Sequence, residues 1–344
     1  MSPEPTSPEP TDLHVPRICL DPLSGRPVFV APQRGSKPND AALVAQLGVD
    51  PATAHDWCPF CAGNEDRTPP DLARAPVDAS APWQARIVPN RYPITTIAAA
   101  EITPGAEGRP AHGVHEVVIE SPRHDRSILA VDPAAWRDVW SLCGRRLAML
   151  AAQESLAWAT VFKNSGPKAG ASLEHVHSQL VALDRVPPTI SSELAGCRGG
   201  RDPFGVLLAE ARAAGRIVAE LGGLVVVVPP APRQPFETWI VTAEPERHFH
   251  DTPPARAAAL ADLTRDMAGR LERVAPGCEY NWWLHQAPFL RAAADMEPTA
   301  AWHWHLEILP RLAELAGFEL GTGCHITTVT AEESARSLRA AGSE

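Results

Sequence analysis

The sequence has no excess of positive charge, because 31 Lys and Arg residues are outnumbered by 41 Asp and Glu residues and leave a net charge of -10. A surface with this balance carries no basic stripe to hold a nucleic acid. The chain also has no long apolar run: the most apolar stretch, residues 224–228, is too short to cross a bilayer and predicts a buried strand. We therefore expect no nucleic acid and no membrane among its partners, and a small molecule instead.

A disulfide framework is missing as well. The seven cysteines form an odd and widely spaced set, which favours a reducing compartment. Residues 1–14 are rich in Pro and have no apolar segment, so we expect a disordered tail there and no signal peptide. These features predict a cytoplasmic protein. Its 344 residues, 44% of them apolar, suffice for one large domain or two of average size.

Residues 161–183 form the segment that is most informative about function. Their sequence, VFKNSGPKAGASLEHVHSQLVAL, predicts an apolar strand, a Gly-rich turn and a second strand. Alternation along the second strand places His175, His177 and Gln179 on one face. Polar side chains that repeat on one face indicate a site, although buried histidines satisfied by hydrogen bonds are the alternative.

Such a face suits nucleotidyl transfer. A neutral imidazole can attack a phosphorus atom in line, while an amide donor and the N–H groups of a Gly/Ser turn bind the phosphoryl oxygens. The attacking ring needs its other nitrogen held by a hydrogen bond, so that the correct nitrogen faces the phosphorus.

A second feature is the C-x-x-C pair formed by Cys58 and Cys61. Such a pair either binds a metal ion or forms a redox couple. The Gly-Asn and Thr-Pro-Pro sequences that follow prevent the helix of a thioredoxin-like motif, which favours metal. Because no second C-x-x-C is present for a zinc ribbon, the remaining ligands are expected to be histidines or carboxylates, with His124 and His175 as the candidates.

The carboxyl half repeats this pattern weakly. A predicted strand at residues 280–285 is followed by a turn region and by a strand at 301–310, in which His303, His305 and Glu307 share one face. A helical pattern precedes each half, at residues 133–154 and 254–273. The simplest architecture is a duplicated α+β unit whose two sheets join into one mainly antiparallel sheet flanked by helices.

Several motifs in this order resemble the galactose-1-phosphate uridylyltransferases of the histidine-triad superfamily. Besides the central motif, the resemblance rests on CPFCAGNE (58–65), VPN (88–90), SPRH (121–124), PFET (235–238), HQAPF (285–289), HWH (303–305) and GFELGTG (317–323). It covers most of the chain and implies two histidine-triad-like domains. The first, residues 15–195, holds the nucleophile and a zinc site; the second is residues 196–335, and residues 336–344 form a tail.

The resemblance implies a ping-pong reaction of galactose metabolism. UDP-glucose gives its uridylyl group to His177, the nucleophile, and a hexose 1-phosphate such as galactose 1-phosphate then accepts it. Gln179 matches the amide that contacts the transferring phosphoryl group. Further substrate-binding positions are matched by Ser172, Asn164, Asn90 and Arg34.

Two metal sites are implied as well. A structural zinc site, which fixes the strand of the nucleophile, is matched by Cys58, Cys61, His124 and His175. A second site, whose ligands suit zinc or iron, is matched by Glu193, His285, His303 and His305. The alternative for the second site is a buried polar cluster without metal. The family also implies a homodimer.

The chain departs from the family pattern at several positions. Val176 replaces the Pro usual between the two histidines, which frees one backbone N–H. His325 and Thr327 stand where an aromatic residue and an Asn are common, in a segment that closes over the hexose phosphate in the family. Two other functions therefore stay open. One is a nucleotide-sugar phosphorylase resembling the ADP-glucose phosphorylases, with phosphate as the acceptor. The other is a zinc-stabilised binding protein without catalysis, against which the retention of both His177 and Gln179 argues.

Overall fold

The computed structural model describes residues 15–36, 54–78, 80–97, 108–289 and 301–342. The helices in these ranges are α1 (Ala54–Trp57), α2 (Pro133–Ala151), α3 (Pro188–Gly196), α4 (Pro203–Ala213), α5 (Pro254–Val274), α6 (Gly317–Thr322) and α7 (Ala331–Ala340). The strands are β1 (Arg17–Leu20), β2 (Pro27–Val30), β3 (Ala73–Ala75), β4 (Ala85–Pro89), β5 (Arg109–Pro110), β6 (Gly113–Ile119), β7 (Trp158–Ser165), β8 (His177–Leu183), β9 (Ile217–Leu221), β10 (Leu224–Val227), β11 (Thr238–Thr242), β12 (Tyr280–His285) and β13 (His305–Pro310).

One ten-stranded sheet runs through both halves of the chain in the order β3-β4-β6-β8-β7-β12-β13-β11-β10-β9. The halves meet where β7 pairs antiparallel with β12, so that Asn164 lies opposite Asn281. Each half supplies five strands in an equivalent order on its side of this junction. This confirms the predicted α+β fold with a mainly antiparallel sheet. A separate small sheet has the order β2-β1-β5.

Helices α2 and α5 cover one face of the large sheet. Helix α2 begins after Asp132, whose carboxylate accepts hydrogen bonds from two N–H groups of the first turn, and Pro133 occupies the first helical position. Trp136 of α2 reaches across to α5 and donates its indole N–H to the carbonyl of Ala261 at 3.0 Å. Leu180 of β8 is buried in the same apolar core. The residues that alternate with it along β8 therefore point to the opposite face.

The opposite face is covered only in part by helices α3 and α4. Val181 and Leu183, near the end of β8, are buried there against Leu194 of α3 and Phe204 of α4. The beginning of β8, with His177 and Gln179, lies on this same face but lines a cavity instead. One end of β8 thus lines a cavity while its other end is packed against helices.

The fold differs from the sequence expectations at two places, and a third expectation lies outside the described residues. Strand β8 begins at His177, so His175 lies in the turn before the strand and not on the strand itself. The expected tail at residues 336–344 is wrong for 336–340, which belong to α7, and Leu338 is fully buried. A reciprocal cap between Thr330 and Glu333 starts this helix. The expected tail at residues 1–14 lies outside the described residues.

The division into domains at residue 195 stays a proposal. We propose residues 15–195 and 196–335 as the two units, with α7 completing the second. In the described part of the chain, no helix combines the length and the apolar character needed to cross a lipid bilayer.

Candidate active site

His177 is the first residue of β8 and is 7% exposed. Its Nδ1–H donates to the main-chain carbonyl of His175 at 2.8 Å. Because a neutral imidazole carries one proton, Nε2 is then the nitrogen that carries the lone pair. The ring of Phe60 packs at a centroid distance of 5.4 Å and limits the orientations of the imidazole. This is the arrangement that a nitrogen nucleophile requires.

Two cavities meet at His177. The turn-side cavity, about 500 Å³, is formed by the turn between β7 and β8 and includes Asn164 and Ser172. The β4-side cavity, about 350 Å³, contains Asn90, Gln179 and the same Ser172. His177 therefore lies on the wall common to both cavities, within reach of a ligand in either one.

The predicted substrate residues lie around these cavities with one exception. The Ser172 hydroxyl is buried and has no hydrogen-bond partner in the described protein, which leaves it available to a ligand. Asn164 accepts a hydrogen bond from Asn281 at 2.8 Å, and Asn90 accepts one from the N–H of Tyr92 at 2.8 Å. Arg34 is not part of either cavity wall, because its guanidinium donates to the carbonyl of Tyr92 at 2.8 Å.

A buried ion pair behind His177 was not predicted from the sequence. Lys163 of β7 contacts the carboxylate of Glu120 and donates to the carbonyl of His177 at 2.8 Å. Ser178 donates to the same carboxylate at 2.5 Å. Burial lowers the pKa of Lys163, whereas Glu120 opposes this shift. The signal available in the sequence was a lysine inside an otherwise apolar strand, a position that demands a partner.

The four predicted zinc ligands converge beside His177. Ligand atoms of Cys58, Cys61, His124 and His175 all lie within 4.8 Å of one another. The Nδ1 atom of His175 is 3.5 Å from each of the two sulfurs, and that of His124 is 3.4 Å from Cys61. The fold brings together residues more than 100 positions apart, as sequence spacing alone could not show.

The chemistry of this donor set fits a tetrahedral zinc ion. His175 donates its Nε2–H to the carbonyl of Ser121 at 2.9 Å, so its Nδ1 lone pair points at the sulfurs. Burial lowers the pKa of His175 to about 4, which keeps the ring neutral. Burial raises the pKa of Cys58 to about 12, a cost that a bound cation offsets because thiolates are its ligands. When bound, zinc would hold the C-x-x-C turn to the residue that precedes β8.

The second predicted metal cluster forms, but Glu307 takes the place that was expected for His303. Ligand atoms of Glu193, His285, His305 and Glu307 lie within 4.8 Å of one another. His305 repeats the geometry of His177, since its Nδ1 lies 3.0 Å from the carbonyl of His303. Burial lowers the pKa of His305, but the hydrogen bond with Glu307 and the charge of Glu193 outweigh it and raise this pKa.

His303 does not join this group, contrary to the expectation. Its Nδ1 lies 2.6 Å from the carbonyl of Thr242, and its Nε2 lies 3.6 Å from Asp202. Glu307, one strand period beyond His305, takes its place. Glu307 also contacts the guanidinium of Arg233, so the cluster already contains a cation. Burial raises the pKa of Glu307, but the hydrogen bond and charge of His305 outweigh it and lower this pKa to about 2. The alternative of a polar cluster without metal therefore stays open.

The amino-acid sequence matches two family models and several known proteins. The model of a family described as galactose-1-phosphate uridyl transferase, N-terminal domain, matches residues 8–187, and a domain of unknown function matches residues 143–339. An ADP-glucose phosphorylase of Arabidopsis thaliana is 33% identical over 330 residues, covering 94% of this chain and 92% of that protein. A galactose-1-phosphate uridylyltransferase of Thermotoga maritima is 26% identical over 247 residues, covering 67% and 74%.

Solved structures agree with this result. The crystal structure of an ADP-glucose phosphorylase from Arabidopsis thaliana with bound ADP-glucose has a TM-score of 0.73 at 32% identity, covering 94% of this chain and 98% of that one. A uridylyltransferase structure has a TM-score of 0.75 at 26% identity, with the same coverage. These comparisons confirm the coarser part of the predicted enzyme class, a nucleotidyltransferase. The chain belongs to the galactose-1-phosphate uridylyltransferase family.

Proposed function

We propose that this enzyme is a nucleotide-sugar phosphorylase that transfers the adenylyl group of ADP-glucose to His177 and then to phosphate. The motifs of the sequence favour a different member of the family, a UDP-glucose:hexose-1-phosphate uridylyltransferase. The phosphorylase is supported better, because the Arabidopsis enzyme of that activity matches at 33% identity over 94% of this chain.

The observation that carries nucleotidyl transfer is the hydrogen bond that holds His177. With Nδ1–H bonded to the carbonyl of His175, Nε2 attacks the α-phosphorus of the donor, and a new P–N bond forms. The bond from this phosphorus to the bridging oxygen breaks, and glucose 1-phosphate leaves with the electron pair. A phosphate oxygen then attacks the same phosphorus, the P–N bond breaks, ADP forms and neutral His177 is restored.

The remaining site residues receive roles from their places around the two cavities. We assign the transferring phosphoryl group to Gln179 and to the buried hydroxyl of Ser172. Asn164 belongs to the turn-side cavity, on the side of the leaving or accepting group. Asn90 belongs to the β4-side cavity, on the nucleotide side. Arg34 lies outside both cavities, and its hydrogen bond to the carbonyl of Tyr92 stabilises the segment that follows Asn90.

Zinc at the Cys58 cluster is part of the proposal. The donor set and its hydrogen bonds suit a structural ion with four protein ligands. Such an ion supplies stability and takes no part in bond making or breaking. We also propose a cytoplasmic homodimer, on the family resemblance; size-exclusion chromatography with light scattering tests the dimer.

The second candidate is the uridylyltransferase itself, which a TM-score of 0.75 with a uridylyltransferase structure supports. The two candidates differ in the donor base and in the acceptor. Incubation with ADP-glucose or UDP-glucose, each ³²P-labelled at the α-phosphate, followed by denaturing electrophoresis, distinguishes the bases. Addition of phosphate or galactose 1-phosphate to the labelled protein distinguishes the acceptors.

We expect label from ADP-glucose, discharged by phosphate as labelled ADP. Label from UDP-glucose alone, discharged by galactose 1-phosphate, would establish the uridylyltransferase instead. Absence of label from both donors, with a folded and zinc-loaded protein, would contradict both and favour a binding protein.

A further inference from the structure

His115 lies behind the catalytic amide and has no role in the account so far. It belongs to β6, which pairs with β8, and its register partner is Val181, so Gln179 is its diagonal neighbour on the same face. The ring is 6% exposed and is not part of either cavity wall. Its Nε2 lies 2.9 Å from Oε1 of Gln179.

The other ring nitrogen of His115 determines where the proton sits. The backbone N–H of Ile94 donates to Nδ1 at 3.1 Å. A backbone N–H can only donate, so Nδ1 must be the unprotonated acceptor. The single proton of the neutral ring is then on Nε2. Because an N–H donor needs an acceptor, only the oxygen of Gln179 can face it at 2.9 Å.

Asn90 also approaches this nitrogen but does not compete for its proton. Its Nδ2 lies 3.1 Å from Nε2 of His115. The Oδ1 of Asn90 already accepts the N–H of Tyr92 at 2.8 Å, which holds the amide in this orientation. Two N–H groups that face each other form no hydrogen bond, so the carboxamide of Gln179 remains the acceptor.

We infer that His115 is a positioning residue that holds the carboxamide of Gln179 with its oxygen toward β6 and its NH₂ group toward the transferring phosphoryl group. This inference rests on the proposed function for its catalytic consequence. Without His115, the carboxamide of Gln179 can rotate by half a turn. Its oxygen then faces the phosphoryl oxygens, and a donor is exchanged for a repulsive lone pair.

Each residue in this group orients the next one. The N–H of Ile94 sets the tautomer of His115, His115 sets the amide of Gln179, and Gln179 contacts substrate. We therefore expect a change at His115 to affect the transfer step through Gln179, the hydrogen-bond acceptor of its Nε2–H. This distinguishes positioning from a general structural contribution, which would persist after Gln179 is removed.

A double-mutant cycle tests this dependence. Single-turnover formation of nucleotidyl-His177 is measured for the wild type, His115→Ala, Gln179→Ala and the double variant. We expect His115→Ala to slow the wild-type step by about 10- to 100-fold, the range typical of residues that orient a contacting group, with little change in donor affinity. In the Gln179→Ala background we expect no further slowing. His115→Gln, which offers an N–H donor, should recover part of the rate. Equal slowing in both backgrounds would overturn the inference.

A second measurement does not depend on transfer. Long-range ¹H–¹⁵N NMR of the histidine-labelled protein reports the tautomer of His115, assigned by loss of its signals in His115→Gln. We expect the neutral form with the proton on Nε2, and a shift of that proton in Gln179→Ala. A proton on Nδ1, or an Nε2 proton unmoved by Gln179→Ala, would overturn the inference. If the wild type forms no adduct with any donor, the proposed function fails while this geometry is still tested.

Discussion

The Nδ1–H of His177 donates to the main-chain carbonyl of His175 across 2.8 Å. The imidazole of His175 belongs to the Cys58 cluster, so one residue contributes its side chain to the proposed metal site and its carbonyl to the nucleophile. An ion that fixes His175 therefore also fixes the tautomer and direction of His177. The same bond recurs between His305 and His303 at 3.0 Å, which shows that it belongs to the duplicated fold.

Loss of a thiol from the cluster should release zinc. We expect Cys58→Ser to lack the zinc of this site and to lower the thermal midpoint by about 5–10 °C, since a loss of a few kcal/mol has this effect in a domain of moderate size. Elemental analysis and calorimetry measure both. Cys278→Ser is the matched control, because Cys278 lies outside the cluster and should retain wild-type zinc. Equal zinc in both variants would contradict the assignment.

Stability of the zinc-free protein should depend on pH through His175. Burial lowers the pKa of this residue to about 4, from an ordinary value near 6.5. Between these two values the unfolded chain binds a proton that the folded chain does not, so the free energy of unfolding falls as the pH drops from about 6.5 to 4. Urea denaturation of chelated protein across this range measures the slope. A variant His175→Ala with an undiminished slope would refute this origin.

Removal of the catalytic amide should slow chemistry without abolishing it. We expect Gln179→Ala to reduce the rate of adduct formation by about 100-fold, as for the loss of one donor to a developing charge. Stopped-flow or quench-flow measurement with the preferred donor gives this rate. Gln153→Ala is the control, because Gln153 lies outside both cavities and should leave the rate unchanged. A Gln179→Ala rate within twofold of wild type would remove the residue from the site.

The second cluster gives a prediction that distinguishes two possible ligand sets, one that includes Glu307 and one that includes His303. If a metal binds there, Glu307→Ala should lose it, because Glu307 and not His303 lies beside His305 in the structure. His303→Ala should retain it. Metal analysis after preparation in zinc- and iron-supplemented medium compares the variants. Loss of metal in His303→Ala alone would restore the original ligand set, and wild-type protein without a second metal would indicate a polar cluster held by Arg233.

Sequence patterns predicted the parts of the site that depend on local geometry. Strand alternation placed His177 and Gln179 on one face, and both line the β4-side cavity. The same alternation failed for His175 and His303, because strands β8 and β13 begin only at His177 and His305, after these two residues. A residue that precedes a strand is directed by its turn and no longer by the two-residue period.

Contacts between distant residues could not be predicted. Lys163 and Glu120 are 43 positions apart, and His115 and Gln179 are 64 apart. Each pair meets only because β6, β8 and β7 are neighbours in the sheet. A single sequence predicts the strands but not their order in the sheet. Contacts between residues on neighbouring strands, which support the site, therefore cannot be predicted from it. Arg34 was misplaced for the same reason, since the partner that holds it is the carbonyl of Tyr92.

The central claim is that His177 becomes covalently nucleotidylated. Intact and peptide mass spectrometry of enzyme quenched shortly after mixing with ADP-glucose, without phosphate, tests it most directly, with His177→Ala as the negative control. His112→Ala, outside both cavities, serves as the matched histidine control. The account predicts one adenylyl group on the peptide that contains His177, absent from His177→Ala and present in His112→Ala. An unmodified His177 in a sample that demonstrably forms product would contradict it.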